Sequence, residues 1–278
     1  EAFLARHAES SMFLRANLRE HGLGDTRSPR AMDVALTRTQ GAVSGVFGLS
    51  NGGFGLYQAP DAGPEIWAAY ARWLDGRALS GVTGEARQLR AARAALGWGP
   101  GDLAHEGDEP LYRLDLHDLR EDRLAPGQLR APEASDLDLL EGWFTAYEAE
   151  TLHTPPARAA ALGRRRAAQA ILENRVRILE DAGQPLAMTA FNARLPDMVQ
   201  IGGVFTPPQH RNRRAARTAV ALHLREARAE GVHRAVLFAS GRPACRAYEA
   251  LGFQRVGSYR LALLREPRTG HGDGASND

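Results

Sequence analysis

The residues of this chain with the clearest chemical potential stand together between Gly202 and Leu224, in the run GGVFTPPQHRNRRAARTAVALHL. A strand-like apolar run ends at Thr206, because the two prolines that follow remove two amide donors and hold Thr206 extended. Past the turn, Ala216, Ala219, Val220, Leu224 and Ala227 recur at helical spacing, with Arg217, Arg225, Glu226, Arg228 and Glu230 on other faces. A helix is therefore expected to begin near Arg213 or Arg214. The first turn of a helix carries unpaired N–H groups and the positive end of the helix dipole. Arg211, Arg213 and Arg214 add delocalised positive charge in the same turn. This is the chemistry of an anion site, and a diphosphate suits it. A solvated helix start in an arginine-rich protein explains the same feature taken alone.

Composition narrows what such a site can be for. Every basic residue apart from histidine is arginine, since the 278-residue chain contains no lysine, so lysine Schiff-base and lysine general-base chemistry drop out. The single cysteine, Cys245, excludes an internal disulfide and a cysteine-built structural zinc site, and the expected compartment is the cytoplasm. Cys245 stands one turn before Tyr248 with no positioned histidine, and reads as a small packing residue rather than a nucleophile. No metal site is expected. Arg and Lys total 35 against 33 acidic residues, for a net charge of +2 and a pI near 9.0, too mild a balance to imply nucleic-acid binding. No window offers the roughly 18 consecutive apolar residues of a membrane span. The opening run AFLARHAESSMFLRANLREHG spaces its apolar residues like a helix rather than a signal-peptide core, and a few native residues are expected ahead of Glu1.

The elements that must position these groups fall into two expected domains, residues 1–122 and 123–266. The first reads as amphipathic helix up to Gly22, then a β-meander in AMDVALTRTQGAVSGVFGLSNGGFGLYQA. A helix follows with Ile66, Trp67, Tyr70, Trp73 and Leu74 on one face and a stop at Gly76. ALSGVTGEARQLRAARAALGW reads strand then helix, and LYRLDLHDL reads as a strand that closes the unit. The connection is placed at 120–130. The second domain reads as helices over Ser135–Glu150 and Pro156–Asn174, then strands RVRILED, LAMTAFNAR and MVQIGGVFT. The helix after the prolines, strand RAVLFA, a further helix and strand RVGSYRLALLR complete it. Residues 267–278 are polar and glycine-rich and are expected to be disordered. Gly84–Trp98 and Gly241–Phe253 both follow a short apolar strand and both end Ala-Leu-Gly-aromatic; aligned there, Arg93 falls opposite Tyr248. Convergent composition and an internal repeat explain this equally, and a repeat in fold order decides between them.

Ile201 to Leu264, IGGVFTPPQHRNRRAARTAVALHLREARAEGVHRAVLFASGRPACRAYEALGFQRVGSYRLALL, resembles the carboxyl half of a GNAT-superfamily acyl-CoA-dependent N-acyltransferase. In that family a strand runs beside pantetheine, a Gln/Arg-x-x-Gly-x-Gly/Ala loop opens a helix over the pyrophosphate, and a later helix supplies a Tyr before a Leu-Gly-Phe ending. Here the strand is Gly203 to Thr206, the loop is Arg211 to Ala216, and Tyr248 precedes Leu251, Gly252 and Phe253. The resemblance implies an α/β (α+β) fold of two GNAT-like domains, each a bent mixed β-sheet flanked by helices. The first half is a degenerate copy without acyl-CoA binding, because APDAGP stands where the loop would be. Acetyl-CoA is the implied co-substrate, one per chain, held by Val204, Phe205, Thr206, Arg211, Asn212, Arg213, Arg214, Ala215, Ala216 and Tyr248. Two positions depart from the pattern. Arg214 replaces a glycine, and its Cβ limits backbone approach to phosphate unless the residue adopts helical φ/ψ. Gly241 replaces an asparagine, removing one side-chain hydrogen bond.

N-acyl transfer needs an unprotonated amine, stabilisation of the oxyanion and a proton for the departing thiolate. By resemblance Tyr248 is the proton donor, a phenol whose ordinary pKa of about 10 keeps it protonated at neutral pH. A backbone N–H near Val204 or Phe205 meets the oxyanion. In the segment that borders the acceptor pocket in this family, AYEAETLHTPP carries Glu148, Glu150 and His153. Glu150 is the candidate base; Glu148, His153 and Asn192 are candidate acceptor contacts. Helix glutamates are more often solvated surface, and strand asparagines more often fill a bulge or turn. The function this implies is transfer of an acetyl group from acetyl-CoA to a primary amine of a small molecule or peptide, without nucleic-acid or membrane partners. The first half shapes the acceptor side or a homodimer contact. The alternative is a catalytically silent CoA-binding module with a sensing or assembly role.

Overall fold

Alternating and helical periodicities become the expected elements in a computed structural model that describes residues 1–24, 27–122, 124–152 and 154–269. Helices α1 (Ala2–Ala5) and α2 (Met12–His21) lead, and α2 buries Met12, Leu14 and Ala16 before Gly22 turns the chain at φ 71°. Strands β1 (Met32–Thr39), β2 (Ala42–Ser50) and β3 (Phe54–Gln58) form the antiparallel meander. Proline at its first position starts α3 (Pro64–Trp73), which buries Trp67 and Tyr70 against Phe47 and Tyr57. Next come β4 (Ala78–Glu85), parallel to β3, then α4 (Ala86–Ala95) and β5 (Leu103–Asp115).

Strand β6 (Gln128–Arg130) precedes the helix pair α5 (Leu137–Thr151) and α6 (Pro156–Glu173). The antiparallel strands β7 (Val176–Asp181), β8 (Gln184–Arg194) and β9 (Met198–Phe205) follow. Helix α7 (Ala215–Ala229), strand β10 (Arg234–Phe238) parallel to β9, helix α8 (Gly241–Glu249) and strand β11 (Gln254–Thr269) complete the chain. On α7 every residue from Thr218 to Leu224 is buried, including His223, whose ring stacks on Phe191 at 3.6 Å. Burial, with Arg177 and Arg194 nearby, holds the His223 imidazole well below its ordinary pKa. Among the described residues no helix is long and apolar enough to cross a membrane.

The elements gather into two compact units, Glu1–Glu109 with the chain from Gly257 on, and Pro110–Val256. These units do not coincide with the expected division at 122/123. Residues 111–115 of β5 pair with β10, and Leu111, Tyr112 and Leu114 are buried in the second unit. Residues from Tyr259 of β11 pair with β4, and Tyr259, Ala262 and Leu264 are buried in the first. A strand's alternation marks which of its faces is apolar but not which sheet receives it, so both assignments lay beyond local pattern. Residues 267–269, expected to be disordered, also belong to β11; residues 270–278 lie outside the described residues.

Fold order repeats. Each unit runs through three antiparallel strands, a helix, a strand parallel to the third, and a short helix: β1-β2-β3-α3-β4-α4 and β7-β8-β9-α7-β10-α8. The shared Ala-Leu-Gly-aromatic ending is one helix stop used twice. Gly97 and Gly252 take φ 67° and 99°, and the next amide, Trp98 or Phe253, bonds back to the carbonyl of Arg93 or Tyr248.

Candidate active site

In the second unit β9 and β10 run parallel with paired register from Met198↔Arg234 to Ile201↔Leu237, and there the pairing ends. Strand β9 continues to Phe205. Two irregularities shape this free segment. On the β8 side one extra residue sits on β9 between the pairs Ala190↔Gly202 and Met188↔Phe205, and Gly203 takes φ 58° within it. The bulge reverses the strand's faces. Val199, Ile201 and Val204 pack with α7 and β10, whereas Phe205 packs with Trp143 and Phe144 of α5. The second irregularity gives β8 an extra residue between Phe191↔Ile201 and Ala193↔Gln200, and that residue is Asn192. Its amide occupies the space that a side chain on Gly202 would need. Asn192 therefore fills a bulge beside the free end of β9.

The chain leaves β9 through Thr206 and the two prolines, makes one 3-10 turn at Pro208–His210, and enters α7. Helix α7 begins at Ala215, with no side-chain cap on its first amides and no acidic residue in its first turn. Asn212 and Arg214 both take left-handed backbone, φ 61° and 66°. Arg214 is thus not helical, as comfort at that position required. It keeps the loop shape that glycine adopts freely, at a cost of about 1 kcal/mol. Arg213 and Arg214 are exposed. Arg211 donates through Nε to the Thr206 carbonyl at 2.9 Å and through Nη2 to Glu150 Oε2 at 2.6 Å. Two polar atoms in this turn, Thr206 Oγ1 and His210 Nδ1, are shielded from solvent and find no hydrogen-bond partner among the described residues.

Helix α8 carries Tyr248. Its ring meets Phe253 edge-on at 5.9 Å, and Tyr248, Cys245 and Ala244 pack half-buried on the same core as Val204. No residue of α8 is fully buried, and its contact with the core is made by these half-buried side chains. From β5, Tyr112 donates its hydroxyl to Glu249 Oε1 at 2.6 Å, and that carboxylate pushes the Tyr112 phenol pKa up.

The expected acidic cluster divides. Glu148 is buried and tied, accepting from Arg166 Nη1 at 2.7 Å and from the Thr154 hydroxyl at 3.1 Å. Glu150 is half-exposed and paired with Arg211, so the candidate base and a candidate phosphate ligand touch each other. His153 lies outside the described residues. Sequence reasoning missed Arg166, Tyr112 and His210; only the position of His210, immediately before the loop, carried a local signal. Among the described residues no cluster of His, Cys, Asp and Glu is arranged to hold a metal.

No curated protein matches the sequence. Solved structures match its fold. One is described as an acetyltransferase of the GNAT family from Colwellia psychrerythraea, 12% identical, with 94% of this chain and 96% of that one covered and a TM-score of 0.51. A GCN5-related N-acetyltransferase from Kribbella flavida is 16% identical over 93% of this chain and 95% of its own, with a TM-score of 0.54. A Drosophila protein is 13% identical over 94% and 93%, with a TM-score of 0.61. At these identities the likeness is one of fold. The model of the acetyltransferase (GNAT) family matches residues 137–253, from the start of α5 to the residue after the α8 stop. Residues 137–253 of this chain form a GNAT acetyltransferase domain.

Proposed function

We propose that the second unit transfers an acetyl group from acetyl-CoA to a primary amine of a small molecule or peptide. The observation that carries this reading is the α7 start: uncapped, free of acidic residues, flanked by Arg211, Arg213 and Arg214, and directly continuous with the end of β9 that pairs with β8 but not with β10. Orphaned polar atoms at Thr206 and His210 fit a ligand seated there. Acetyl-CoA supplies an activated thioester. The chain's part is then to hold the diphosphate at the first turn of α7 through Arg211 to Ala216, and to align the arm along Val204, Phe205 and Thr206. A free amide near Val204 or Phe205 meets developing negative charge, and the Tyr248 phenol protonates the departing sulfur. Glu150 accepts the amine proton once Arg211 turns from it to the diphosphate. Asn192 borders the same segment from β8.

A silent acetyl-CoA-binding module is the second reading, favoured by the ties on Glu148 and Glu150. Thermal denaturation with acetyl-CoA, followed by thiol release with a panel of amines, separates the two. Stabilisation with turnover is the expected result. Stabilisation without turnover across the panel leaves the silent module, and no stabilisation at saturating acetyl-CoA removes both readings.

A further inference from the structure

One guanidinium beside the free end of β9 has no part in the mechanism above. Arg166, on α6, faces Gly203: a Cβ on that glycine would stand 3.6 Å from Arg166 Nη2 and 3.7 Å from Phe144 Cε1. The side chain is fixed on several sides. Nη1 donates to buried Glu148, and the guanidinium carbon lies 4.8 Å from the Phe144 ring centre and 5.2 Å from that of Tyr147. Most of the rotamer freedom of a long side chain is therefore surrendered on folding, leaving a pre-oriented fork. The Arg166 side chain nonetheless remains 24% exposed, and Nη2 meets no carboxylate among the described residues. Because position 203 is glycine, no side chain separates Nη2 from the bulged backbone. A pre-oriented arginine with an unspent donor is suited to a planar anion such as a carboxylate, which gains a charge-assisted hydrogen bond that a neutral or purely cationic acceptor does not.

We infer that Arg166 is a specificity-determining residue of the acceptor site, its Nη2 taking the carboxylate of an amino acid whose amine is acylated. This rests on the proposed acetyl transfer. In that transfer the amine nitrogen bonds to the thioester carbonyl carbon, the carbon–sulfur bond breaks, the amine gives up one proton and the thiolate gains one. The carboxylate is unchanged and stays on Arg166.

The test pairs each proteinogenic amino acid with its α-carboxamide, using the full chain and acetyl-CoA, with simple monoamines and polyamines alongside. Wild-type protein is expected to prefer the best acid over its amide by about 10- to 100-fold in kcat/KM, the span of a charge-assisted hydrogen bond. Arg166→Met removes that preference mainly through KM, and Arg166→Lys keeps part of it. Because Arg166→Met strands Glu148, the wild-type acid-to-amide ratio is decisive by itself. Turnover with amides or polyamines equal to or better than with acids overturns the inference and leaves acetyl transfer standing. So does an acid preference that survives intact in a folded Arg166→Met variant. Absence of acetyl-CoA binding instead removes the proposed function, and the inference with it.

Discussion

The two repeats place the same helices after the same strands and treat the junction in opposite ways. In the first unit the slot at the parallel strand pair is filled by the protein itself. The Tyr57 ring lies over Gly84, where a Cβ would stand 2.6 Å from it, and the Tyr70 hydroxyl lies over Gly55. The Ala59 amide, just past the end of β3, is taken by Gln88 Oε1 at 2.7 Å, and Gln58 accepts from Ser10 and Ser11. Helix α4 is capped by Glu85 and buries Ala86, Gln88, Leu89 and Ala92. Its counterpart α8 has no side-chain cap and buries nothing fully. Glu65 sits in the first turn of α3, where α7 has no acid. Opposite Tyr248 stands Arg93, locked to Glu106 at 2.6 Å and to the Trp98 carbonyl at 2.9 Å. One topology thus serves as a packed core in the first unit and carries the candidate ligand site in the second. The difference lies in the side chains at the junction rather than in the fold.

The largest effect expected from this contrast is on turnover. Tyr248→Phe should lower kcat for acetyl transfer by about 100-fold or more while acetyl-CoA still raises Tm. Adding Arg93→Tyr to that variant should restore nothing, since the first unit offers no anion site beside it. Recovery of thiol release in the double variant would break the comparison. Next comes the helix start. Ala216→Glu gives α7 the first-turn carboxylate that α3 carries at Glu65, and should weaken acetyl-CoA binding by about 10-fold in calorimetry.

Buried titratable groups give each unit its own pH dependence. His223 stays neutral in the fold, whereas the unfolded chain protonates near the ordinary value of about 6.5; stability is full above that pH and falls below it by up to about 1.4 kcal/mol per pH unit. Denaturant titrations of His223→Leu should show a flatter acid limb. In the first unit, burial raises the phenol pKa of Tyr57, Tyr70 and Tyr259. Their folded forms stay protonated past the ordinary value of about 10, so stability is lost as pH rises beyond it. Their ultraviolet ionisation signal should then appear only together with unfolding. The smallest effect is at the Glu150–Arg211 pair, both half-exposed: Glu150→Gln should change unfolding free energy by less than about 1 kcal/mol while slowing acyl transfer.

What the sequence made legible was whatever local pattern encodes. The proline pair after Thr206, the α7 stripe and the Ala-Leu-Gly stops each dictate a turn, a face or an end within a few residues, and together they marked the GNAT-like half. What escaped it was tertiary. Arg166 reaches Glu148 across two helices, and Tyr112 reaches Glu249 from a strand that local alternation assigned to the other unit. The bulges at Gly203 and Asn192 are properties of register, set by which residues of β8 and β9 pair; an asparagine within a strand hinted at a bulge, but not at which partner residues it would fall between. The pairing of Glu150 with Arg211 likewise joins positions 61 residues apart, each of which had been given a separate task.

Strand β11 also governs when the protein can mature. Glu85 pairs with Tyr259 and Thr83 donates to the Arg260 carbonyl, so the first sheet receives a member made after the whole second unit. A ribosome releases amino-terminal segments first, and domains ordinarily consolidate in that order. Here the earlier repeat, with the phenols of Tyr57 and Tyr70 and two tryptophans committed to its interior, must wait with an open edge beside β4 until residue 260 has emerged. A nascent chain stalled before β11 should therefore present a protease-sensitive first repeat beside a more resistant second one.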